Sequence, residues 1–216
     1  MSHGVHALNA ICPYYTMYPL DFPLRVLNKY GKRGDWVIDP FCGRGTTNFA
    51  ARLLEMPSMG VDSSPVAAAL AQAKLSTAAP SGVVASARAI LKAAKEPTAL
   101  PTGAFWRLAY HEHTLVQLCQ LREALLAECS SPTRILLRAI VLGALHGPRP
   151  QGAASHFSNQ SPRTFAPKPK YAVKFWTARA MRPVDVDVLS IIKTRADRSL
   201  AEPPPNVEAS VRLGDS

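Results

Sequence analysis

The stretch Trp36-Val37-Ile38-Asp39-Pro40-Phe41-Cys42-Gly43-Arg44-Gly45-Thr46-Thr47 constrains this chain more than any other part of it. A short apolar run ending on an acid fits a buried parallel strand over Trp36 to Asp39. Phe41 to Gly45 is a glycine-containing loop, and helical spacing resumes from Thr46 to Leu54 until Pro57 ends it. Met59-Gly60-Val61-Asp62 reads as a second strand. Ser63 or Ser64 can cap the helix that follows, with Pro65 at its first position and its end near Leu75. Strand, loop, helix, strand, helix is a βαβ unit, so the fold class is α/β.

Gly43 and Gly45 permit a tight turn and close approach of a ligand to the backbone. The first amides of the following helix attract a carboxylate or phosphate. Asp62 closes the second strand, where an acid of a doubly wound sheet can bond two ribose hydroxyls. The pattern is Gly43-x-Gly45-x-x-Asn48, without the third glycine of a dinucleotide fingerprint, and no G-K-[ST] follows to make a P-loop. A nucleoside ligand and a purely structural turn both fit these residues.

Charge is concentrated elsewhere. From Ser131 to Leu200 there are twelve Arg or Lys against Asp185, Asp187 and Asp197, which accounts for nine of the net +10 of the 216-residue chain. A local basic surface is the footprint of a polyanion such as DNA, or simply a solvated face. Arg163, Lys168, Lys170 and Lys174 are interleaved with Phe165, Tyr171 and Phe175-Trp176. That mixture suits a strand carrying unpaired bases, and equally an ordinary amphipathic segment. Hydrophobic residues at 47% exclude a wholly disordered chain. No apolar run is long enough for a membrane helix, and the N-terminus lacks the pattern of a secretory signal. Cys12, Cys42, Cys119 and Cys129 form no C-x-x-C, which suggests reduced thiols and a cytoplasmic location. His111-Glu112-His113 is not a zinc-protease motif, and on a helix the two histidines point apart.

Around the βαβ unit, Phe22 to Tyr30 has amphipathic helical spacing, and so do 83–95, the leucine stripe 115–126 and the stripe 135–144. The two stripes read as core. Residues 148–170 read as a loop, Lys174–Met181 and Val184–Ser199 as helices, and Pro203-Pro204-Pro205 as a rigid linker. Ala209 to Asp215 resembles a third strand ending on an acid. The expected division is 1–80, 81–202 as a helical and basic insertion, and 203–216.

Val37-Ile38-Asp39-Pro40-Phe41-Cys42-Gly43-Arg44-Gly45-Thr46-Thr47 resembles the AdoMet-binding motif of bacterial DNA amino-methyltransferases, which methylate N4 of cytosine or N6 of adenine. Those enzymes usually have Ser where Arg44 stands. His6-Ala7-Leu8 and Tyr14-Tyr15-Thr16-Met17-Tyr18-Pro19 resemble the segment preceding that motif, and Ser158 to Thr164 with Lys168 to Trp176 resembles a stretch of one bacterial subgroup. The resemblance implies a Rossmann-like AdoMet-dependent methyltransferase sheet, incomplete in this chain, with a mostly helical insertion. It implies S-adenosyl-L-methionine as cofactor. Asp39 would bond its methionine ammonium, Phe41, Gly43 and Gly45 would line it, Thr46 and Thr47 would meet its carboxylate, Asp62 its ribose and Asp215 its adenine. DNA is the implied partner, through Arg163, Lys168, Lys170 and Lys174, in a restriction or genome-marking context.

The same enzymes carry a [DNS]-P-P-[YFW] motif that holds the target amine and stacks on the flipped base. This sequence has none: its consecutive prolines, Pro203 to Pro205, are followed by Asn206. No residue is therefore assigned to catalysis. A truncated gene product is the expectation, ahead of one half of a split enzyme with a second chain supplying the motif, and ahead of a degenerate AdoMet- or DNA-binding module. An RNA methyltransferase on the same scaffold is the alternative enzyme.

Overall fold

The computed structural model describes residues 7–14, 18–148, 154–161 and 168–215. Three parallel strands, β1 (Val37–Asp39), β2 (Ser58–Asp62) and β3 (Ala209–Leu213), form one sheet in the order β1-β2-β3. Helix α1 (Asp21–Tyr30) precedes β1, α2 (Thr46–Leu53) joins β1 to β2, and α3 (Pro65–Leu75) follows β2. A helical lobe then intervenes: α4 (Pro80–Ala93), α5 (Ala104–Ala109), α6 (Glu112–Ala127), α7 (Pro132–Ala144), α8 (Pro169–Ala178) and α9 (Val188–Ser199). The small parallel sheet with many helices is the α/β architecture expected from the βαβ pattern.

Local chemistry explains the boundaries. The Ser64 hydroxyl accepts from the Ala67 amide at 3.3 Å and Pro65 opens α3. Ser131 and Asp187 cap α7 and α9 in the same way, through the amides of Arg134 and Ser190. Residues 104–109 hold a helix that the sequence does not announce, a single short turn-and-a-half behind Pro101 and Gly103. Helix α8 begins at Pro169, inside the expected loop, and α9 begins at Val188 rather than Val184.

Register pairs Val37 with Ser58 and Ser58 in turn with Ala209, and Asp39 with Gly60 and Gly60 with Val211. Val37, Ser58 and Gly60 are buried on one face, where Phe49 of α2 and Leu70 of α3 lie in the core. Ile38, on the opposite face, is 70% exposed, and Trp36 is also exposed. The expectation of a strand buried on both sides is therefore corrected: among the described residues β1 pairs on one edge, with β2, and its second face meets solvent. At Gly60 a Cβ would fall 2.9 Å from Cys42 Cβ and 3.0 Å from Asn48 Oδ1, so only glycine lets the loop sit this close on β2.

One core cluster runs from Leu8, Phe49 and Leu70 through Val83, Leu121 and Ile140 to Ile192. The helical lobe thus shares its core with the helices that cover the sheet. Arg52 of α2, 1% exposed, fixes the return of the chain. Its Nε donates to Pro205 O at 2.7 Å, and its Nη atoms donate to Lys74 O, Ser76 O and Thr77 Oγ1. Burial lowers its pKa to about 10. Among the described residues no helix is long and apolar enough to cross a membrane.

Candidate nucleoside and nucleic-acid sites

Three acids stand at the carboxyl ends of three parallel strands: Asp39 closing β1, Asp62 closing β2 and Asp215 just beyond β3. That is the edge where ligands of open α/β sheets bind. Gly43 and Gly45 both have positive φ, 51° and 72°. A Cβ on Gly43 would meet nothing within 4 Å, so open space lies before it. A Cβ on Gly45 would fall 2.7 Å from Ala71 Cβ, because α3 packs directly on the loop.

Gly45 N donates to Cys42 O at 2.7 Å, closing the turn, and Cys42 N donates to Val61 O at 2.9 Å, fastening the loop to β2. The Asp62 carboxylate holds the loop from the other side. Its Oδ2 accepts from Gly43 N and its Oδ1 from Ser64 N, each at 2.8 Å. Each carboxylate oxygen retains a further lone pair. Gly45 begins α2 without any side-chain cap, leaving the helix's first amides to an outside acceptor. Asp39 Oδ1 accepts from Phe41 N at 3.2 Å, and the Phe41 ring is 78% exposed at the loop tip. Thr46 is buried, whereas Thr47 Oγ1 shares a 2.6 Å hydrogen bond with Tyr18 OH. Asp215 is exposed, and Gly214 N donates to Asp62 O at 3.1 Å, which brings the tip of β3 beside β2.

An uncapped helix start can accept an anion, a strand-tip carboxylate with free lone pairs can accept from hydroxyls, and open space lies before Gly43. Asp39, Phe41, Gly43, Gly45, Thr47, Asp62 and Asp215 are gathered at one edge; Thr46 is near but turned inward. Tyr14 and Tyr18, given no individual role in the sequence reading, both reach this edge: Tyr14 OH donates to Ser64 Oγ at 3.3 Å and Tyr18 OH meets Thr47 Oγ1. Aromatic hydroxyls spaced four apart in the segment upstream of the motif were the available signal. Tyr15 and His6 lie outside the described residues.

Arg44, at the position the related enzymes fill with Ser, turns inward and is 6% exposed. Lys74 is fully buried, and its Nζ donates to Asn9 Oδ1 at 2.8 Å. Burial, and then the Arg44 charge, push the Lys74 amine well below its usual range. Burial, and then the Asp62 and Asp39 charges, push the Cys42 thiol up to about 12. A thiol so reluctant to ionise is no nucleophile.

Lys168, Lys170 and Lys174 are exposed on and before α8, while Arg163 and Phe165 lie outside the described residues. The aromatics between them divide. Trp176 is 1% exposed and donates Nε1–H to Gln160 O, so it is core rather than a base platform. Phe175 carries the Arg179 guanidinium 4.0 Å above its ring, and Tyr171 is exposed. His111 and His113 do not point apart. His111 precedes α6 with extended ψ, so both Nδ1 atoms come 3.4 Å from Asp185 Oδ1. No group of metal-ligating side chains large enough for an ion exists among the described residues.

Residues 4–73 match a family model described as DNA methylase, of the N6/N4 type. A 45-residue stretch is 44% identical to the Type II methyltransferase M.MthZI of Methanothermobacter thermautotrophicus, covering 21% of this chain and 13% of that protein. The match therefore spans a small part of the relative's length. No solved structure matches.

Proposed function

We propose that this chain, whose residues 4–73 match the N6/N4 DNA methylase family model, forms the S-adenosylmethionine-binding part of a Rossmann-like DNA amino-methyltransferase. The observation that carries the reading is the Asp62 carboxylate. It draws in the amides of Gly43 and Ser64, presenting an acceptor beside the open face of the glycine loop.

The cofactor supplies an electrophilic methyl group for direct transfer to an exocyclic amine, N4 of cytosine or N6 of adenine. In this reading the α2 amides and Thr47 receive the methionine carboxylate and Asp39 the ammonium. Asp62 accepts the ribose hydroxyls, Asp215 approaches the adenine amine, and the loop backbone at Phe41 and Gly45 lines the ligand. Thr46 shapes the helix start from beneath. Residues 81–202 form the lobe that meets DNA, with Lys168, Lys170, Lys174 and, by the sequence pattern, Arg163 on phosphates. Sequence-specific marking of a bacterial genome, or restriction–modification, is the setting this chemistry suits. Turnover requires a [DNS]-P-P-[YFW] motif from outside these 216 residues, since the sequence contains none.

Calorimetry with S-adenosylmethionine tests the site. Saturable one-to-one binding is expected, with Asp62→Ala weakening it roughly ten- to hundredfold, the worth of about 1.5–3 kcal/mol for hydrogen bonds to a charged group. Undiminished affinity in Asp62→Ala would refute the assignment. Methylation of DNA by the purified chain alone would refute the need for an outside motif.

A further inference from the structure

The helical lobe carries a half-open cavity of about 550 Å³ that the methyltransferase reading does not use. It opens between the start of α3 and helices α5, α6 and α7. The size falls within the range of small-molecule sites. Its walls are apolar: Phe105 and Trp106 of α5, Leu118 and Leu125 of α6, and Val141 and Leu142 of α7. The rings are held in place, Phe105 edge-on to Trp106 at 5.3 Å and Trp106 stacked with Tyr110 at 6.2 Å.

The charged part of the lining has one sign. Arg122 and Arg138 contribute to it, and no carboxylate does. Arg138 is the most telling. It lines the cavity, its Nη2 donates to the neutral Gln72 Oε1 at 2.8 Å, and it enters none of the ion pairs of the described residues. A guanidinium at the edge of an apolar chamber, with no carboxylate against it, selects an anion carried on a hydrophobic body. A nucleoside fits poorly, because the walls offer few groups for a base edge and no acid for a sugar.

We propose that this cavity binds a small amphipathic acid, its hydrocarbon body among Phe105, Trp106, Leu118 and Leu142 and its carboxylate on Arg138. The site stands independently of the glycine loop and of S-adenosylmethionine.

Decanoate is the probe, added to the full chain and followed by calorimetry and tryptophan emission. One saturable site is expected, with an emission change that disappears in Trp106→Phe while calorimetric binding persists. Arg138→Gln weakens decanoate about tenfold, the loss of a charge-assisted hydrogen bond. Decyltrimethylammonium, with the same body and opposite charge, binds at least about tenfold more weakly than decanoate. Leu142→Trp, which fills the chamber, abolishes binding; circular dichroism checks its fold, and the Arg138→Gln comparison does not depend on it. The proposal is overturned by absence of saturable binding, by equal affinity for the two detergents, by unchanged affinity in Arg138→Gln, or by an emission change that survives Trp106→Phe.

Discussion

The loop at the strand tips and the cavity in the helical lobe are built on opposite plans. At the strand tips the groups that face outward are backbone amides and three acids, arranged by two glycines with positive φ. In the lobe most of the wall comes from helices, and side chains shape the hollow. The first plan demands particular residues at fixed spacing. The second accepts many combinations of apolar side chains of suitable volume. Function written in backbone geometry leaves a motif, and function written in packing does not.

The sharpest way to break this contrast is to disturb the element that both regions share. Arg52→Met removes donors to four acceptors on two segments and should destabilise the chain by about 3–4 kcal/mol, read from chemical denaturation. A loss under about 1 kcal/mol would show that the return segment is held by something else. The two loop glycines sharpen the comparison. Gly45→Ala combines a strained φ with a Cβ against Ala71 and should cost about 2–3 kcal/mol. Gly43→Ala, with open space before it, should cost about 1 kcal/mol yet weaken S-adenosylmethionine, separating fold from ligand.

A smaller effect is expected on α8. In Lys170→Glu with Lys174→Glu, the slope of log affinity for duplex DNA against log salt should fall by roughly 0.9 for each phosphate that these lysines neutralise. An unchanged slope would remove these lysines from the interface. The smallest effect concerns the buried amine. The folded-state pKa of Lys74 lies below its unfolded value, so the unfolded chain holds more protons between the two and stability rises with pH through that window. Lys74→Met should flatten the rise measured from about pH 6 to about pH 8.5, a range chosen because unfolded thiols begin to titrate above it. Above it the order reverses: Cys12 and Cys42, raised to about 11 and about 12, make stability fall as pH climbs.

Much of the architecture was legible because it rests on local rules. The βαβ unit, the Ser64 and Pro65 start of α3 and the third strand near Ala209 follow from strand runs, caps and prolines. Asp62 was legible as an acid at a strand tip, though not as the acceptor that holds Gly43. Other features depend on the tertiary fold. Residues 104–109 are too short for periodicity to reveal a helix, and the exposure of Ile38 depends on which strands and helices flank β1. Arg52, Lys74 and Trp176 look like surface or ligand-facing residues by type, and they are buried because distant carbonyls and amides receive them. The cavity was hidden inside two leucine-rich stripes whose spacing signals core alone.

Arg138 also donates to Gln72, whose Nε2 donates onward to Val211 O at 3.3 Å. Two hydrogen bonds therefore connect the chamber wall to β3. One amide side chain, Gln72, is the seam between the two lobes, and its loss would release the Arg138 guanidinium and the Val211 carbonyl together.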